Sequence, residues 1–343
     1  MDFTIFVTSK CNLKCKYCYE GNEKSNKNMT VETADKTIDF MVKRVKNSDI
    51  KRPVNVVFHG GEPLLNFELI KYMLRHITEK IDRKIIFNIT TNGTIITDEI
   101  VEYISRYINN ISISIDGTRT THDLNRTFYD GSGSYEIVIH NAKKLLSKNI
   151  DVRARMTFNS QNVNELYDGV KFLLDIGFKY VAPVADFYDN GWSEKGIEIF
   201  KKQFFKILNI KKENHEQRIS LTDLKLLYRK RGDCFGGISN FTIDVDGNIY
   251  PCTFSAGNSS FIIGNVYEGK LLEDKIDELI NIYQAENECC RGCTRYEYCI
   301  GVRCKIFNKL ITGDYITPPG IVCAIENAIV DIMEREANAF QPI

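Results

Sequence analysis

Along roughly the first 200 residues, short continuous apolar runs alternate with segments in which apolar residues recur every three or four positions. Short apolar runs rich in β-branched residues are typical of strands that are buried in a sheet. They predict six β-strands, at 3–9, 54–58, 84–90, 111–115, 152–158 and 180–185.

Amphipathic segments separate these predicted strands. In the first of them the apolar side chains fall on one face of a helix, at Ala34, Ile38, Met41, Val42 and Val45. The same spacing predicts further helices at 67–81, 98–108, 134–148, 164–177 and 192–212. Six β–α repeats with short connections predict an α/β fold with a parallel sheet, a partial (β/α)6 TIM-like barrel.

Four short motifs follow the first four predicted strands. They are the cysteine triplet at 11–18, HGGEP at 59–63, TTNG at 90–93 and SIDG at 114–117. In parallel sheets, ligands bind at the carboxyl ends of the strands, where these loops begin. The sequence therefore predicts one functional site that combines all four motifs.

The pattern changes after about residue 190. A helical stretch leads through a charged segment into a cysteine-rich region without β–α repeats, and FTIDVDGNIYPC predicts a hairpin that turns at Asp246 and Gly247. We predict a barrel domain over 1–210, a linker over 211–232 and a small cysteine-rich domain with a C-terminal helix over 233–343.

Composition narrows the functional classes. The 343 residues carry 45 basic and 45 acidic side chains, so net charge gives no sign of a nucleic-acid partner. The first ten residues do not resemble a signal peptide, and no apolar run approaches the length of a membrane span. We therefore expect a cytoplasmic protein with no membrane partner. Thiols stay reduced in that compartment, so the eleven cysteines are expected to be metal or catalytic ligands.

Three cysteines, Cys11, Cys15 and Cys18, lie within eight positions. Three thiolates on one loop can hold three irons of a [4Fe–4S] cluster and leave the fourth iron for another ligand. The alternative is a structural zinc site whose fourth ligand lies elsewhere.

The motif CNLKCKYC, followed by GGEP after the second strand, resembles the radical S-adenosylmethionine (SAM) superfamily. The resemblance implies that the open iron binds the amino and carboxylate groups of SAM. One electron from an external reductant then cleaves SAM to a 5′-deoxyadenosyl radical that abstracts a hydrogen atom. It also implies that Tyr17 lies near the adenine.

Other residues near the strand ends are candidate SAM contacts. Gly60 and Gly61 allow close backbone approach, and Glu62 can accept a hydrogen bond from the SAM ammonium group. By resemblance Ser114 contacts SAM, and Arg126 either pairs with its carboxylate or forms a surface salt bridge.

Strand alternation at 152–158 turns Arg155, with Arg153 and Thr157, toward the barrel interior. SAM or the substrate is the anionic partner we expect for Arg155, and barrel carboxylates are the alternative.

The cysteines beyond residue 233 resemble those of the SPASM domain, which holds auxiliary [4Fe–4S] clusters in peptide and protein maturases. The resemblance implies a distal cluster on Cys290, Cys293, Cys299 and Cys323. It implies a proximal cluster on Cys234, Cys252 and Cys304, one ligand short, whose open iron takes a substrate thiolate, Cys289 or another group. Two zinc sites would also account for the cysteine count. With SAM, we therefore expect three [4Fe–4S] clusters.

These features predict a radical SAM enzyme that modifies a cysteine-containing peptide, and the reaction predicted is the formation of a cysteine thioether crosslink. Sulfatase-maturing members, which form formylglycine, carry an acidic residue directly after the cysteine equivalent to Cys252, whereas this chain has Thr253. Formylglycine formation, carbon–carbon crosslinking and peptide epimerisation, with Cys289 as a candidate hydrogen donor, remain alternatives. Because the chain starts at the first strand, leader recognition is expected to use the barrel, the second domain or a separate leader-binding protein. The alternative from a different functional class is a non-enzymatic scaffold protein that binds iron–sulfur clusters or zinc.

Overall fold

The computed structural model describes residues 1–21, 25–148, 150–213 and 216–339. The chain forms two compact units, each assembled from separate parts of the sequence. The first unit comprises Met1–Ile113, Arg126–Ile150 and Phe235–Ile282, and the second comprises Ser114–Asn125, Asp151–Cys234 and Tyr283–Ile343.

The six strands predicted from hydrophobic runs begin and end within about two residues of their predicted positions, and the described residues also form seven shorter strands. In chain order they are β1 (Asp2–Thr8), β2 (Leu13–Cys15), β3 (Val54–Gly60), β4 (Ile85–Thr91), β5 (Asn110–Ser114), β6 (Arg126–Phe128), β7 (Val152–Phe158), β8 (Tyr180–Ala185), β9 (Arg218–Ile219), β10 (Asn240–Ile243), β11 (Asn248–Tyr250), β12 (Gly264–Asn265) and β13 (Lys270–Leu271). The six strands predicted from hydrophobic runs are β1, β3, β4, β5, β7 and β8.

Helices follow these strands as the amphipathic segments predict. They are α1 (Val31–Lys46), α2 (Phe67–Lys80), α3 (Asp98–Tyr107), α4 (Arg119–Asn125), α5 (Tyr135–Ser147), α6 (Leu166–Asp175), α7 (Glu194–Glu213), α8 (Leu224–Leu227), α9 (Glu273–Gln284), α10 (Ile300–Arg303), α11 (Lys305–Thr312) and α12 (Gly320–Ala339). No helix of the described residues is both long and apolar enough to span a membrane.

Parallel pairing dominates the sheet of the first unit. Strand β1 lies between β10 and β3, and β4 and β5 continue the sheet beyond β3, all in parallel. The core side of this sheet is apolar: Phe3, Ile5 and Phe58 have no exposed surface, nor do Ile38 and Met41 of α1. The predicted α/β fold with a parallel sheet is therefore confirmed.

The predicted hairpin is also confirmed. Strands β10 and β11 pair antiparallel, and Gly247 takes a φ of 81° in the turn between them. Strands β12 and β13 extend this antiparallel part, so residues 240–271 add four strands to the first unit's sheet.

The second unit contains a smaller parallel set, β7, β8 and β9. Strand β9 lies inside the segment predicted as a linker, as does α8. The compact units thus follow spatial contacts rather than the predicted ranges 1–210, 211–232 and 233–343, and those ranges stay predictions.

Candidate functional site

The loop with the first three cysteines leaves the carboxyl end of β1. Part of it forms β2, which pairs antiparallel with β6 and places Cys15 opposite Arg126. The turn continues with a bond from the Cys18 amide to the Cys15 carbonyl, at 3.3 Å. The local backbone thus holds the three cysteines on one short, hydrogen-bonded loop.

Nitrogen donors point at two of the three sulfur atoms. The Cys11 sulfur accepts from the Leu13 amide at 3.5 Å and from Asn92 Nδ2 at 3.9 Å. The Cys15 sulfur accepts from Arg126 Nη1 at 3.9 Å. Such donors favour thiolate over thiol, and thiolate is the form that binds iron. The surroundings of this triplet therefore fit an iron–sulfur cluster.

Arg126 lies inside the first unit, with only 7% of its surface exposed. Its guanidinium carbon is 5.1 Å from the centroid of the Tyr17 ring, a cation–π distance. Arg126 is therefore a buried side chain rather than a surface one. Its pairing with the SAM carboxylate stays a prediction, as does the position of Tyr17 near the adenine.

The two glycines of GGEP bring their backbone against the residues that lead into the cysteine loop. A Cβ at Gly60 would overlap the Thr8 carbonyl oxygen, and one at Gly61 would overlap the Lys10 carbonyl oxygen. Gly60 also has a φ of 144°, which other residues rarely adopt. The amides of Gly61 and Glu62 donate to the carbonyls of Thr8 and Lys10, at 3.1 and 2.8 Å. The glycines thus fasten the GGEP loop to the cysteine loop.

Glu62 is fully buried, and its carboxylate accepts three hydrogen bonds from the chain itself. Oε1 accepts from the Leu64 amide at 3.0 Å and from Thr91 Oγ1 at 2.8 Å. Oε2 accepts from the Asn92 amide at 2.6 Å. The Glu62 carboxylate is thus held in place at the strand edge, and its hydrogen bond from the SAM ammonium group stays a prediction.

Asn92 is the main residue that the sequence reasoning did not single out. Besides its contact with Cys11, Nδ2 donates to Asn12 Oδ1 at 2.8 Å, and Oδ1 accepts from the Thr94 amide at 2.9 Å. The signal was present in TTNG, at the same strand edge as the cysteines and GGEP. Asn92 thus connects three of the four motifs, since its side chain contacts the cysteine loop and its backbone amide donates to Glu62.

The fourth motif and Arg155 belong to the second unit. Ser114 ends β5 and is half-buried, and Arg155 on β7 is exposed. Between them in sequence, Asp116 is fully buried and accepts from the Thr157 amide at 2.9 Å. SAM contacts of Ser114 and Arg155 stay predictions.

All eleven cysteines lie among the described residues, and none of them is in a disulfide. No group of three or more His, Cys, Asp or Glu side chains within those residues is arranged to hold a single metal ion. A cubane cluster binds each thiolate at a different iron, so its ligands surround a volume rather than a point.

The four cysteines of the predicted distal set influence one another within the second unit. Burial, followed by the nearby thiols of Cys289, Cys323 and Cys299, raises the pKa of Cys290 to about 12. Burial and the Glu326 carboxylate raise the pKa of Cys299 to about 11. The pKa of Cys323 is raised by burial and by Cys293. Bound cations would offset this unfavourable burial of thiolates, so the donor set fits a cluster.

The predicted proximal set is divided between the units. Within the second unit, Arg303 Nε donates to the Asp233 carbonyl at 3.2 Å. These two residues directly precede Cys304 and Cys234, so this bond links the two segments that carry these cysteines. Cys252 belongs to the first unit, where its sulfur lies 3.7 Å from Ser255 Oγ. Exposed Cys289 lies beside the distal set, its sulfur 3.7 Å from that of Cys290.

Two family models match the chain. The model of the radical SAM superfamily matches residues 5–173, which contain the cysteine triplet and GGEP. The model of SPASM, an iron–sulfur cluster-binding domain, matches residues 234–294.

Relatives differ in how much of the chain they share. An uncharacterised protein of Methanocaldococcus jannaschii is 33% identical over 51% of this chain, which spans 59% of that protein's length. The radical SAM cyclopropyl synthase TigE of Paramaledivibacter caminithermalis is 26% identical over 98% of this chain and 75% of its own. The cysteine-type anaerobic sulfatase-maturating enzyme of Clostridium perfringens is 27% identical over 86% of both chains.

Two solved structures share the fold. Native anSMEcpe with bound AdoMet and Kp18Cys peptide superposes with a TM-score of 0.78 at 22% identity, over 98% of both chains. Streptococcus suis SuiB bound to precursor peptide SuiA has a TM-score of 0.65 at 18% identity, over 94% of this chain and 75% of its own. Together with the family models, the cysteine triplet and the GGEP loop, these likenesses show that the chain belongs to the radical SAM superfamily of enzymes and carries a SPASM domain.

Proposed function

We propose that this enzyme forms a thioether crosslink in a cysteine-containing peptide. Its class, a radical SAM enzyme with a SPASM domain, is that of peptide and protein maturases. The named relatives include a cyclopropyl synthase and a sulfatase-maturating enzyme, so the family does not determine the bond formed.

The residue that carries the proposal is Thr253. It begins a 3-10 turn directly after Cys252 and is half-buried there. Formylglycine formation needs a base at the reacting cysteine, and a threonine hydroxyl has no accessible deprotonated form near neutral pH. An enzyme that binds the substrate sulfur to an incompletely ligated cluster would need no such base, because coordination itself lowers the thiol pKa.

The chain's own residues prepare the site for SAM cleavage. Cys11, Cys15 and Cys18 would hold the SAM cluster, which when bound supplies the electron that cleaves SAM. Asn92 and Arg126 stabilise the thiolates of Cys11 and Cys15 with N–H donors. The GGEP loop is held against the cysteine loop by its backbone bonds, so the Glu62 carboxylate keeps a constant position for an ammonium group.

The atoms of the proposed reaction balance without water or oxygen. The 5′-deoxyadenosyl radical removes one hydrogen atom from a peptide carbon. The cysteine thiol loses its proton, the carbon–sulfur bond forms, and one electron passes to a one-electron acceptor. The peptide therefore loses two hydrogens, and its thiol is consumed.

Formylglycine formation is the second candidate. The sulfatase-maturating relative aligns over 86% of both chains, and the anSMEcpe structure superposes on nearly the whole chain. The absence of a carboxylate at Thr253 is the specific difference that favours the thioether.

Further elements of the proposal concern cofactors and partners. We propose three [4Fe–4S] clusters on the three predicted cysteine sets, a cytoplasmic location, an external one-electron reductant and a separate leader-binding protein. The peptide substrate is supported by the peptides bound in anSMEcpe and SuiB.

Mass spectrometry tests the reaction. After anaerobic incubation with enzyme, SAM and reductant, a cysteine-containing substrate peptide is expected to lose two hydrogens and to resist thiol alkylation. Omission of SAM is the control. An aldehyde in place of the cysteine, or deuterium uptake at an α-carbon without a crosslink, would reject the thioether in favour of formylglycine formation or epimerisation.

Asn92→Ala tests the sulfur donors. Loss of a hydrogen bond to a ligand sulfur lowers a cluster's reduction potential, so a smaller fraction of the SAM cluster is expected to be reduced at a given reductant potential. Electron paramagnetic resonance of the reduced cluster measures this fraction. Asn88→Ala is the matched control because Asn88 lies on β4, the strand that leads to Asn92, but bonds to Asn55 and Val56. Equal reduction of the Asn92→Ala and control proteins would show that Asn92 does not tune the cluster.

A further inference from the structure

A cavity of about 260 Å³ lies in the second unit, beside the chain that carries Cys234 and Cys304. Its wall includes Cys299 of the predicted distal set, Asp233, which precedes Cys234, and Arg303 and Lys305, which flank Cys304. Exposed residues such as Lys230 and Glu297 also line it, so the cavity is accessible from the surface.

Two arginines of the wall have most of their donors available. Within the part of the chain that the structure describes, the guanidinium of Arg231 bonds only to the Tyr298 carbonyl, at 2.9 Å, and that of Arg303 only to the Asp233 carbonyl, at 3.2 Å. Neither is within salt-bridge distance of a described carboxylate. Each guanidinium has five N–H donors in a planar fork that matches a carboxylate. An anionic ligand would satisfy these half-buried groups.

The remaining charges of the wall leave an excess of positive charge. The basic residues are Lys230, Arg231, Arg303 and Lys305, and the acidic ones are Asp233 and Glu297. Glu297 already pairs with Lys230 at 2.8 Å. That leaves Asp233 as the one acidic group opposite two arginines and a lysine.

Lys305 is rigidly placed at the inner wall. Only 2% of its surface is exposed, and its Nζ donates to the Ala285 carbonyl at 2.6 Å and to Asn287 Oδ1. A lysine buried this way contributes a positive potential with little loss of side-chain entropy on binding.

Tyr283, Tyr296 and Val302 supply apolar surface in the same wall. Cationic groups beside apolar surface suit a carboxylate on a short methylene stem better than a small inorganic anion, which has no apolar part. We propose that this cavity binds an aspartate or glutamate side chain of the peptide substrate, near in sequence to the cysteine that reacts. The inference rests on the proposed function, because that function places the substrate thiol at the cluster of Cys234 and Cys304.

A binding experiment tests the carboxylate specificity. The anaerobically prepared full-length enzyme is titrated into a fluorescein-labelled peptide, Gly-Glu-Ala-Cys-Ala-Glu-Gly, and into the same peptide with both glutamates replaced by glutamine. We expect the acidic peptide to bind about tenfold or more tightly, the size expected for a charge-assisted pair. Arg303→Gln is expected to remove most of that difference, and Arg229→Gln, an exposed neighbour outside the cavity, to preserve it.

Other outcomes would overturn the inference. If the wild-type enzyme binds both peptides with equal affinity, the inference is wrong, and this result does not depend on whether Arg303→Gln folds. The inference is also wrong if Arg303→Gln or Arg231→Gln lowers the affinity for both peptides equally. Displacement of the acidic peptide by sulfate but not by glutarate would indicate a general anion site instead.

Mass spectra of the same mixtures, recorded after SAM and a one-electron reductant have been added anaerobically, distinguish this inference from the proposed reaction. Acid-selective binding without loss of two hydrogens would reject the thioether and leave the site standing. Equal conversion of both peptides would reject the site and leave the thioether standing.

Discussion

Replacing Cys11, Cys15 and Cys18 together by alanine is expected to abolish SAM cleavage. The three thiolates are the proposed ligands of the cluster that binds SAM and passes the cleaving electron to its sulfonium. Iron and sulfide content after anaerobic reconstitution should fall by about four of each per chain, while the auxiliary clusters remain. Release of 5′-deoxyadenosine, followed by chromatography, measures the activity.

The matched control removes cysteines from another set. A variant with alanine at Cys290, Cys293 and Cys299 should also lose about four irons but keep the electron paramagnetic resonance signal of the SAM cluster. Zinc in place of iron, with no visible absorption that dithionite bleaches in anaerobically prepared protein, would contradict the whole assignment.

Glu62→Ala is expected to weaken SAM binding more than tenfold. Loss of a charge-assisted hydrogen bond costs roughly 1.5 to 3 kcal/mol, and the GGEP loop also loses its attachment to Thr91 and Asn92. Because three buried donors lose their acceptor, the free energy of unfolding should also fall, by about 3 kcal/mol. Equilibrium SAM binding and thermal unfolding measure the two effects separately.

Glu68→Ala is the control for this variant. Glu68 lies on the neighbouring helix α2, its side chain is 80% exposed, and its ion pair with Lys71 is at the surface, where such pairs contribute little. Its loss should change neither property appreciably. Unchanged SAM affinity in Glu62→Ala would mean that the ammonium group binds elsewhere, while lower stability alone would leave Glu62 a purely structural role.

Sequence patterns were sufficient for the strands, the helices and the edge at which the motifs meet. The run around Phe3 and Ile5 and the helical face of Ile38 and Met41 are buried as predicted, because burial of apolar surface follows local periodicity. The cysteine triplet and GGEP also identified the family, since both motifs depend on spacing along the chain. The turn at Gly247 is equally local.

Only the tertiary structure decided what the polar groups at that edge contact. The motif predicted that Glu62 faces a ligand. In the structure its carboxylate accepts hydrogen bonds from Leu64, two positions along the chain, and from Thr91 and Asn92, which are 29 and 30 positions away. Arg126 meets Cys15 across 111 positions, and Asn92 meets Cys11 across 81. Such contacts depend on how two strands are paired and on the direction of single side chains, which hydrophobic periodicity does not encode. The sequence by itself therefore determined the family and predicted the main elements and the cysteine sets, whereas tertiary packing determined which donors surround the sulfur atoms and which arginines line the cavity in the second unit.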